Sequence, residues 1–332
     1  MNLAYRDHKI MKLHNLGYSS RRIALELFNK ESMKSTVNDV LARYRNKGLL
    51  TTKGEDLAKV DLGGFKIVTS KTSKEGCSHM VLPDKQVRAD TPKEFLNWIG
   101  KYIVDRKPDV IIDLGDFADM ASLSSYDKGK KSAEGKRVNE DIKGAIAGMR
   151  VMLKPLYDLQ QQEVKDYGRI KYKPRMVLTL GNHEDRITRH VNANPELDGY
   201  LSTDSLRYSD FGWEVIPFLQ PEIINGVGYV HFAANPFSGK PYGGSALNIL
   251  QKVGTSMTVG HKQTLDIATR NLPTTGQQQW FLCAGACYTH DEHYKGPQGN
   301  HHWRGVIVKH NVCNGGYSPM FVDLDYLKKK FG

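Results

Sequence analysis

Apolar positions in the first fifty residues recur at helical spacing. In residues 6–16, Ile10, Leu13 and Leu16 share one face with Met11 and His14 beside them, and Gly17 follows where a left-handed cap costs little. Ser19 or Ser20 is placed to cap a second helix carrying Ile23, Ala24, Leu25 and Leu27, and Ser32 or Ser35 to cap a third. Val37, Val40, Leu41 and Tyr44 would face inward from that third helix, and Gly48 would close it. From about residue 64 the period changes from helical to extended. Short β-branched or apolar runs predict strands at 65–70, 80–83, 110–114, 176–180, 227–233, 255–259, 265–269, 279–283, 305–309 and 320–322, with helical patterns at 91–106, 139–161 and 244–252. The alternation predicts an α/β fold with a strand-rich C-terminal half, preceded by a small all-α unit at 1–48 and a Gly-, Thr- and charge-rich linker at 49–63.

Composition narrows the class. The chain has 332 residues, 39% of them hydrophobic and 25% charged, which suits a globular protein with a sizeable core. No apolar run approaches the roughly 20 residues that span a bilayer, and the charged N-terminus lacks a signal-peptide core. Four cysteines are too few for a disulfide scaffold, so a cytoplasmic protein with no membrane partner is expected. The formal charge of +11 is uneven: residues 1–50 hold ten Lys or Arg against four Asp or Glu, a net of +6, leaving +5 for the other 282 residues. The run GYSSRRIALELFNKESMKSTVNDVLARY (residues 17–44) resembles helix-turn-helix modules of the resolvase and regulator type. The resemblance implies DNA as partner, with Met33, Lys34, Ser35, Thr36, Asn38 and Asp39 at the groove-facing start of the third helix and Arg21, Arg22, Arg43 and Arg45 toward phosphates. The alternative is a helical bundle that docks on the rest of the chain or on another protein.

The chemistry collects just after the predicted strands, where loops of α/β folds gather. Asp84-Lys85-Gln86 follows one run, Gly115-Asp116-Phe117-Ala118-Asp119 the next, then Gly181-Asn182-His183-Glu184, the single His231, and Gly260-His261-Lys262-Gln263. Oxygen and imidazole donors at five successive strand ends are candidate ligands for divalent metal. Asp113, inside the strand before Gly115-Asp116, reads instead as facing solvent or a backbone donor.

GDFAD (115–119) and LTLGNHEDR (178–186), in this order and separation, resemble the calcineurin-like metallophosphoesterases, in particular phage-encoded members. The similarity spans about residues 64–325. It implies two packed β-sheets flanked by helices and two divalent ions roughly 3.5–4 Å apart, bridged by Asp116. One ion would be held by Asp116, Asn182, His231 and His261. The other would be held by Asp84, Asp116, Gln86 and Gln263, where the family has histidine at the last two positions. A neutral amide oxygen binds Zn²⁺ or Fe more weakly than imidazole, so Mn²⁺ is the expected ion, Mg²⁺, Fe and Zn²⁺ are the alternatives, and the glutamine site is the weaker. By the same resemblance His183 protonates the leaving group and Asp119 orients its ring. Arg186 is a candidate phosphate contact, or else pairs with Glu184 or Asp185.

The expected function is metal-dependent hydrolysis of DNA phosphodiesters, in a host cytoplasm if the chain is phage-encoded. The alternatives are a phosphomonoesterase or protein phosphatase, and a DNA-binding regulator with a degenerate phosphoesterase domain. Lys128, Lys130, Lys131, Lys136 and Arg137, with Tyr126, make the loop beside Asp119 a candidate nucleic-acid grip, or a solvated loop. The cluster Cys283, Cys287, His290, His293, His301 and His302 is too compactly spaced for common structural zinc sites and reads as a cleft-edge loop. The tail from Asp325 reads as a surface end.

Overall fold

The side-chain alternation along each strand sorts the molecule into layers. In β1 (Cys77–Leu82) Met80 and Leu82 lie on one face and Val81 on the other; β2 (Val110–Asp113) and β3 (Arg175–Thr179) repeat the pattern with Ile111, Met176 and Leu178 against Ile112 and Val177. These strands join β4 (Glu214–Ile216), β10 (Gly305–Cys313) and β11 (Gly316–Asp323) in a six-stranded sheet ordered β11-β10-β1-β2-β3-β4. Its β1 to β4 segment is parallel and its β10–β11 edge antiparallel. A five-stranded sheet, ordered β5-β6-β7-β9-β8, comprises β5 (Glu222–Ile224), β6 (Val227–Val230), β7 (Met257–Val259), β8 (Leu265–Asn271) and β9 (Gln278–Ala284). Strands β6, β7 and β9 run parallel.

The sheets face each other through Val81, Val110, Ile112, Val177 and Ile307 on one side and Val227, Tyr229, Leu282 and Ala284 on the other. Helices α4 (Glu94–Arg106) and α5 (Val138–Tyr167) cover the outer face of the larger sheet with Leu96, Ile99, Met149 and Met152. Helix α7 (Ala246–Val253) covers the smaller sheet with Ile249 and Leu250, against Phe281 and Cys283. The protein is therefore a mixed α/β sandwich of two sheets flanked by helices. No helix among the described residues is long and apolar enough to cross a membrane. This computed structural model describes residues 3–15, 18–46, 62–127, 129–292 and 296–332.

Three helices precede the sandwich: α1 (Leu3–Asn15), α2 (Ser20–Phe28) and α3 (Lys34–Asn46). Ile10, Met11, Ile23, Ala24, Val37, Val40, Leu41 and Tyr44 form their shared interior, and α1 packs against the Pro195–Leu197 turn of the sandwich. Ser19 caps α2 by accepting from Arg22 N. Two details depart from expectation. Leu25 is half exposed, because the buried stripe of α2 runs through Ile23, Ala24, Leu27 and Phe28 and Leu25 falls outside it. A 3-10 turn at Glu31–Met33 runs directly into α3, so Ser32 lies inside the turn and Ser35 inside the helix. Leu16, Gly17, Gly48 and most of the predicted linker lie outside the described residues.

Elsewhere the expected strand at 65–70 is extended chain without a ladder: Gln160 of α5 takes the strand partner's role, accepting from Val68 N and donating to Val68 O. The expected surface tail is helix α9 (Leu324–Phe331), whose Leu327 is buried and whose Phe331 meets Tyr102 of α4. The unpredicted α6 (Asp185–Ala193) starts immediately after the GNHE turn.

A polar seam crosses the sheet interface. His79 Nδ1 lies 2.7 Å from Tyr229 Oη and Nε2 3.1 Å from Asn225 Oδ1, a pattern that suits neutral imidazole. Burial, reinforced by the nearby Lys309 charge, lowers the His79 pKa to about 3. The unfolded chain takes up this proton near its ordinary value of 6.5, so between those limits it binds more protons than the folded chain and stability falls as pH drops. Urea titrations at stepped pH should show His79→Gln with a shallower loss over that window, by up to about 1.4 kcal/mol per pH unit. Leu282→Ala, between the sheets, should cost about 2–5 kcal/mol, whereas Leu25→Ala on α2 should stay within about 0.5 kcal/mol.

Candidate metal centre

The loops that leave β1, β2, β3, β6 and β7 at their C-terminal ends lock together around one point. Lys85 N and Gln86 N both donate to Asp116 O, and Val87 N to Phe117 O. His183 N donates to Asp116 Oδ1 at 2.9 Å and His261 N to Asp84 Oδ1 at 3.0 Å. Glu184, wholly buried, accepts from the backbone N of Asp116, Ala118 and Gly181, each at 2.9 Å, and from Tyr208 Oη at 3.2 Å. One carboxylate thereby ties the GDFAD and GNHE turns.

The backbone is held in unusual conformations here. Gln86, Asp116, Met120, His261 and Gln263 all adopt positive φ, between 45° and 65°. Non-glycine residues rarely do so, and such conformations persist where the surroundings over-determine them. Two glycines are required by close approach: a Cβ on Gly181 would lie 2.1 Å from Asp116 Oδ1, and one on Gly260 2.5 Å from Asp84 Oδ1.

Asn182 Oδ1 lies 2.8 Å from His231 Nε2 and 2.7 Å from His261 Nδ1. Asp116 Oδ1 lies 3.3 Å from His231 Nε2. The donor atoms of Asp116, His231 and His261 all fall within 4.8 Å of one another. His231 Nδ1 is 2.8 Å from Leu114 O, so this nitrogen carries a proton and Nε2 faces the two oxygens. Neutral His231 would then oppose its lone pair to both of them. Burial works against a charge on this ring, but the Asp116 carboxylate outweighs it, and the net effect raises the pKa to about 9. His261 moves the other way, to about 4, through burial and then the charge of His231. A cation among these atoms satisfies the same oxygens without a charged imidazole. Asp84 adds a second sign of fit: it is fully buried, burial raises its pKa to about 6, and its Oδ2 has no hydrogen-bond partner. The donor set thus suits a divalent ion.

Of the residues expected around the second ion, Gln86 and Gln263 are both buried. Gln263 Oε1 accepts from Tyr288 Oη at 2.9 Å. One of the two amide oxygens expected at the second ion thus already accepts from a tyrosine.

His183 stands beside the cluster, its Nδ1 2.8 Å from Asp119 Oδ1 and its Nε2 3.6 Å from Asp116 Oδ2. Burial disfavours its charge, but Asp116 and Asp119 override this and raise its pKa. Arg186 donates to Asp119 O at 2.8 Å and Asp119 Oδ1 at 3.3 Å and approaches His183 Nε2 at 3.2 Å. It does not pair with Glu184 or Asp185; Asp185 pairs with Arg189 at 3.0 Å.

Several contributors left no trace in the spacing. Arg88 Nε pairs with Asp119 Oδ2, while its Nη2 holds both Glu292 oxygens at 2.7 and 2.8 Å. His290 Nε2 in turn lies 2.9 Å from Glu292 Oε1. Asp113 is not solvent-facing: it is fully buried, ion-paired with Lys85 Nζ at 3.0 Å, and accepts from Gly115 N. Its carboxylate supports the turn that presents Asp116.

The Cys283–His302 segment does not converge. Cys283 and Cys287 are buried, and burial raises their thiols to about 11 and about 12. His290 stacks on Tyr288, and His293 lies outside the described residues. Among the described residues, the one group of three or more Asp, Glu, His or Cys with ligand geometry is Asp116, His231 and His261.

The residues expected at DNA are dispersed on the N-terminal helices. Lys34, Ser35 and Asn38 are exposed on the first turns of α3, with Thr36 half-buried. Arg21 pairs with Glu31, Arg22 lies over the Tyr18 ring at 4.0 Å, and Arg43 pairs with Asp7 at 3.1 Å. Arg45 belongs to α3, but its side chain lies outside what is described. Lys130 and Lys131 are exposed, and Lys128 lies outside the described residues.

No protein-family model matches the chain. It is similar to the Gene 54 protein of Mycobacterium phage L5, 27% identical over 216 residues that cover 62% of this chain and 77% of that protein. It is also similar to the Gene 54 protein of Mycobacterium phage D29, 23% identical over 213 residues with the same coverage. Its relatives are thus phage gene products.

Mn²⁺ titrated into chelator-treated protein should raise the melting temperature and bind with measurable heat. Asp116→Asn and His231→Ala should each abolish both signals, while Glu292→Gln should retain them.

Proposed function

We propose that the protein is a metal-dependent phosphodiesterase acting on DNA. The observation that carries this reading is the Asp116–Asn182–His231–His261 donor cluster with the His183–Asp119 pair at its edge. Mn²⁺, with Mg²⁺, Fe and Zn²⁺ as alternatives, would be held by Asp116, Asn182, His231 and His261, and a second, weaker ion by Asp84, Asp116, Gln86 and Gln263. When bound, such ions offset charge on the phosphate oxygens and make water a better nucleophile at neutral pH.

The chain's own groups supply the rest. His183 presents Nε2 toward the centre and delivers a proton to the departing alkoxide, which is too basic to leave unaided. Asp119 accepts from Nδ1–H, fixes the ring, and stabilises its charged form. Arg88 and Arg186 hold Asp119 from two further directions, so the orienting carboxylate is itself immobile. Arg186, at the edge of the pair, is the residue placed to contact a non-bridging phosphate oxygen. Glu184 preserves the relation between the Asp116 and His183 turns and takes no part in proton transfer.

DNA as substrate rests on the N-terminal helices. Docking through α1 leaves the first turns of α3 exposed, with Lys34, Ser35, Thr36 and Asn38 as groove-facing candidates and Arg21, Arg22, Arg43 and Arg45 as phosphate contacts. The relatives motivate the further reading that the protein acts in a host cytoplasm.

Hydrolysis of bis-p-nitrophenyl phosphate, p-nitrophenyl phosphate and DNA in Mn²⁺ should favour the diester and the DNA. His183→Ala should lower kcat on DNA by roughly 10²–10⁴ while leaving Mn²⁺ affinity within about twofold. A preference for the monoester would point to a phosphatase instead. DNA-linked function that survives both His183→Ala and Asp116→Asn would point to a regulator.

A further inference from the structure

Two loops that begin at the metal centre each end in an exposed aromatic ring. Phe237 is 97% exposed and Tyr126 82% exposed. Phe237 does not lie on a frayed segment. Phe237 sits on a closed turn: its N donates to Asn235 Oδ1 at 2.9 Å, Gly239 N donates to Asn235 O at 2.8 Å, and Asn235 N donates to Lys240 O at 2.8 Å. The base of this loop is fixed by Tyr242 N to Ala233 O at 3.0 Å and by Lys262 Nζ to Gly244 O at 2.5 Å. Tyr126 follows the 3-10 turn at Ala121–Leu123, where Ser122 N donates to Asp141 Oδ2 of α5 at 2.8 Å.

Both loops are rooted in the site. One starts at His231 and passes Phe232, whose ring is 4.9 Å from that of His261. The other starts at Met120, whose carbonyl meets Arg186 at 3.5 Å. Each aromatic tip comes six residues after its root, so neither can lie more than roughly 20 Å from it. Lysines follow both rings: exposed Lys130 and Lys131 come after Tyr126 and Asp127, and exposed Lys240 after Phe237. Residues 235–245 contain no acidic residue.

A single exposed aromatic is ordinary. Two, each followed by lysines in sequence and each on a loop rooted at the same centre, form a pattern that matches one ligand. Nucleobases whose faces are free stack on aromatic rings, while lysines follow the phosphates. Bases inside a duplex already stack on each other and offer no free face.

We infer that Phe237 and Tyr126 are stacking platforms on two loops rooted at the centre, and that the substrate is single-stranded or locally unpaired DNA. This deepens the phosphodiesterase reading and rests on it. The N-terminal helices would recruit duplex, and the two rings would hold the strand presented for cleavage.

Binding tests this without turnover. In EDTA, fluorescence anisotropy of a labelled oligothymidylate of about 12 nucleotides should show Phe237→Ala and Tyr126→Ala each weakening affinity roughly tenfold. Affinity for a blunt-ended two-strand duplex without a loop should stay within about twofold in both variants, since that binding is assigned to α2 and α3. Phe237→Trp should retain wild-type affinity and add indole emission that the oligonucleotide quenches, a signature that a purely structural role would not produce. Unchanged single-strand affinity in both alanine variants, or equal losses on single strand and duplex, would overturn the inference. Bis-p-nitrophenyl phosphate separates the two claims, because it is too small to reach the loops. Unchanged oligonucleotide affinity in variants that hydrolyse it normally refutes the stacking inference alone. Failure of every form to hydrolyse it, with single-strand binding still lost in the variants, refutes the hydrolytic reading alone.

Discussion

The centre depends on one buried carboxylate. Glu184 is sealed from solvent and accepts from three backbone N–H groups and a tyrosine hydroxyl. Those N–H groups belong to two different turns, after β2 and after β3, so one side chain ties the Asp116 and His183 turns together and reinforces the direct bond from His183 N to Asp116 Oδ1. Burial and the neighbouring Asp116 charge push the Glu184 pKa upward, and the backbone N–H donors oppose that. Removing the carboxylate would leave three buried donors without acceptors, a far larger cost than losing one surface bond. The positive φ of Asp116 is tolerable for the same reason: the turn cannot relax while Glu184, Gly181 and the 85–87 backbone hold it.

Around that constraint the site is crowded with groups of like preference. Asp116, Asn182, His231 and His261 bring lone pairs toward a common point, and the fold fixes them there through Leu114 O, the Asp84 carboxylate and the backbone turns. Asp84 Oδ2 stays without a partner in the interior. Proteins seldom leave buried polar atoms unpaired without cause. A bound cation would supply the cause, which is why the arrangement is read as a candidate metal centre rather than as a histidine-rich core.

Much of this was legible in the sequence because it depends on local rules. The apolar runs at 110–114 and 176–180 became β2 and β3 within a residue or two, and four of the donors expected after the strands, Asp116, Asn182, His231 and His261, lie together. The three N-terminal helices and their inward positions Val37, Val40, Leu41 and Tyr44 also follow from period alone. Contacts between distant segments were not legible. Arg88 reaches Glu292 across 204 positions, Gln160 stands in for a strand beside Val68, and Lys85 neutralises an Asp113 that the pattern placed toward solvent or a backbone donor, the second of which Gly115 N supplies. Tyr288 reaching Gln263 belongs to the same class, and it bears directly on how the second ligand set works. Periodicity reports which face of an element is buried; it carries no information about which polar group waits on the other side.

The central claim is that four side chains from four loops share one cation. Diffraction at the manganese absorption edge, on crystals equilibrated with Mn²⁺, tests it most directly. The account predicts an anomalous peak in contact with Asp116, Asn182, His231 and His261, with any second peak on the Asp84 side weaker. A saturated crystal with no peak at those four residues, or with its strongest peak elsewhere, would contradict it.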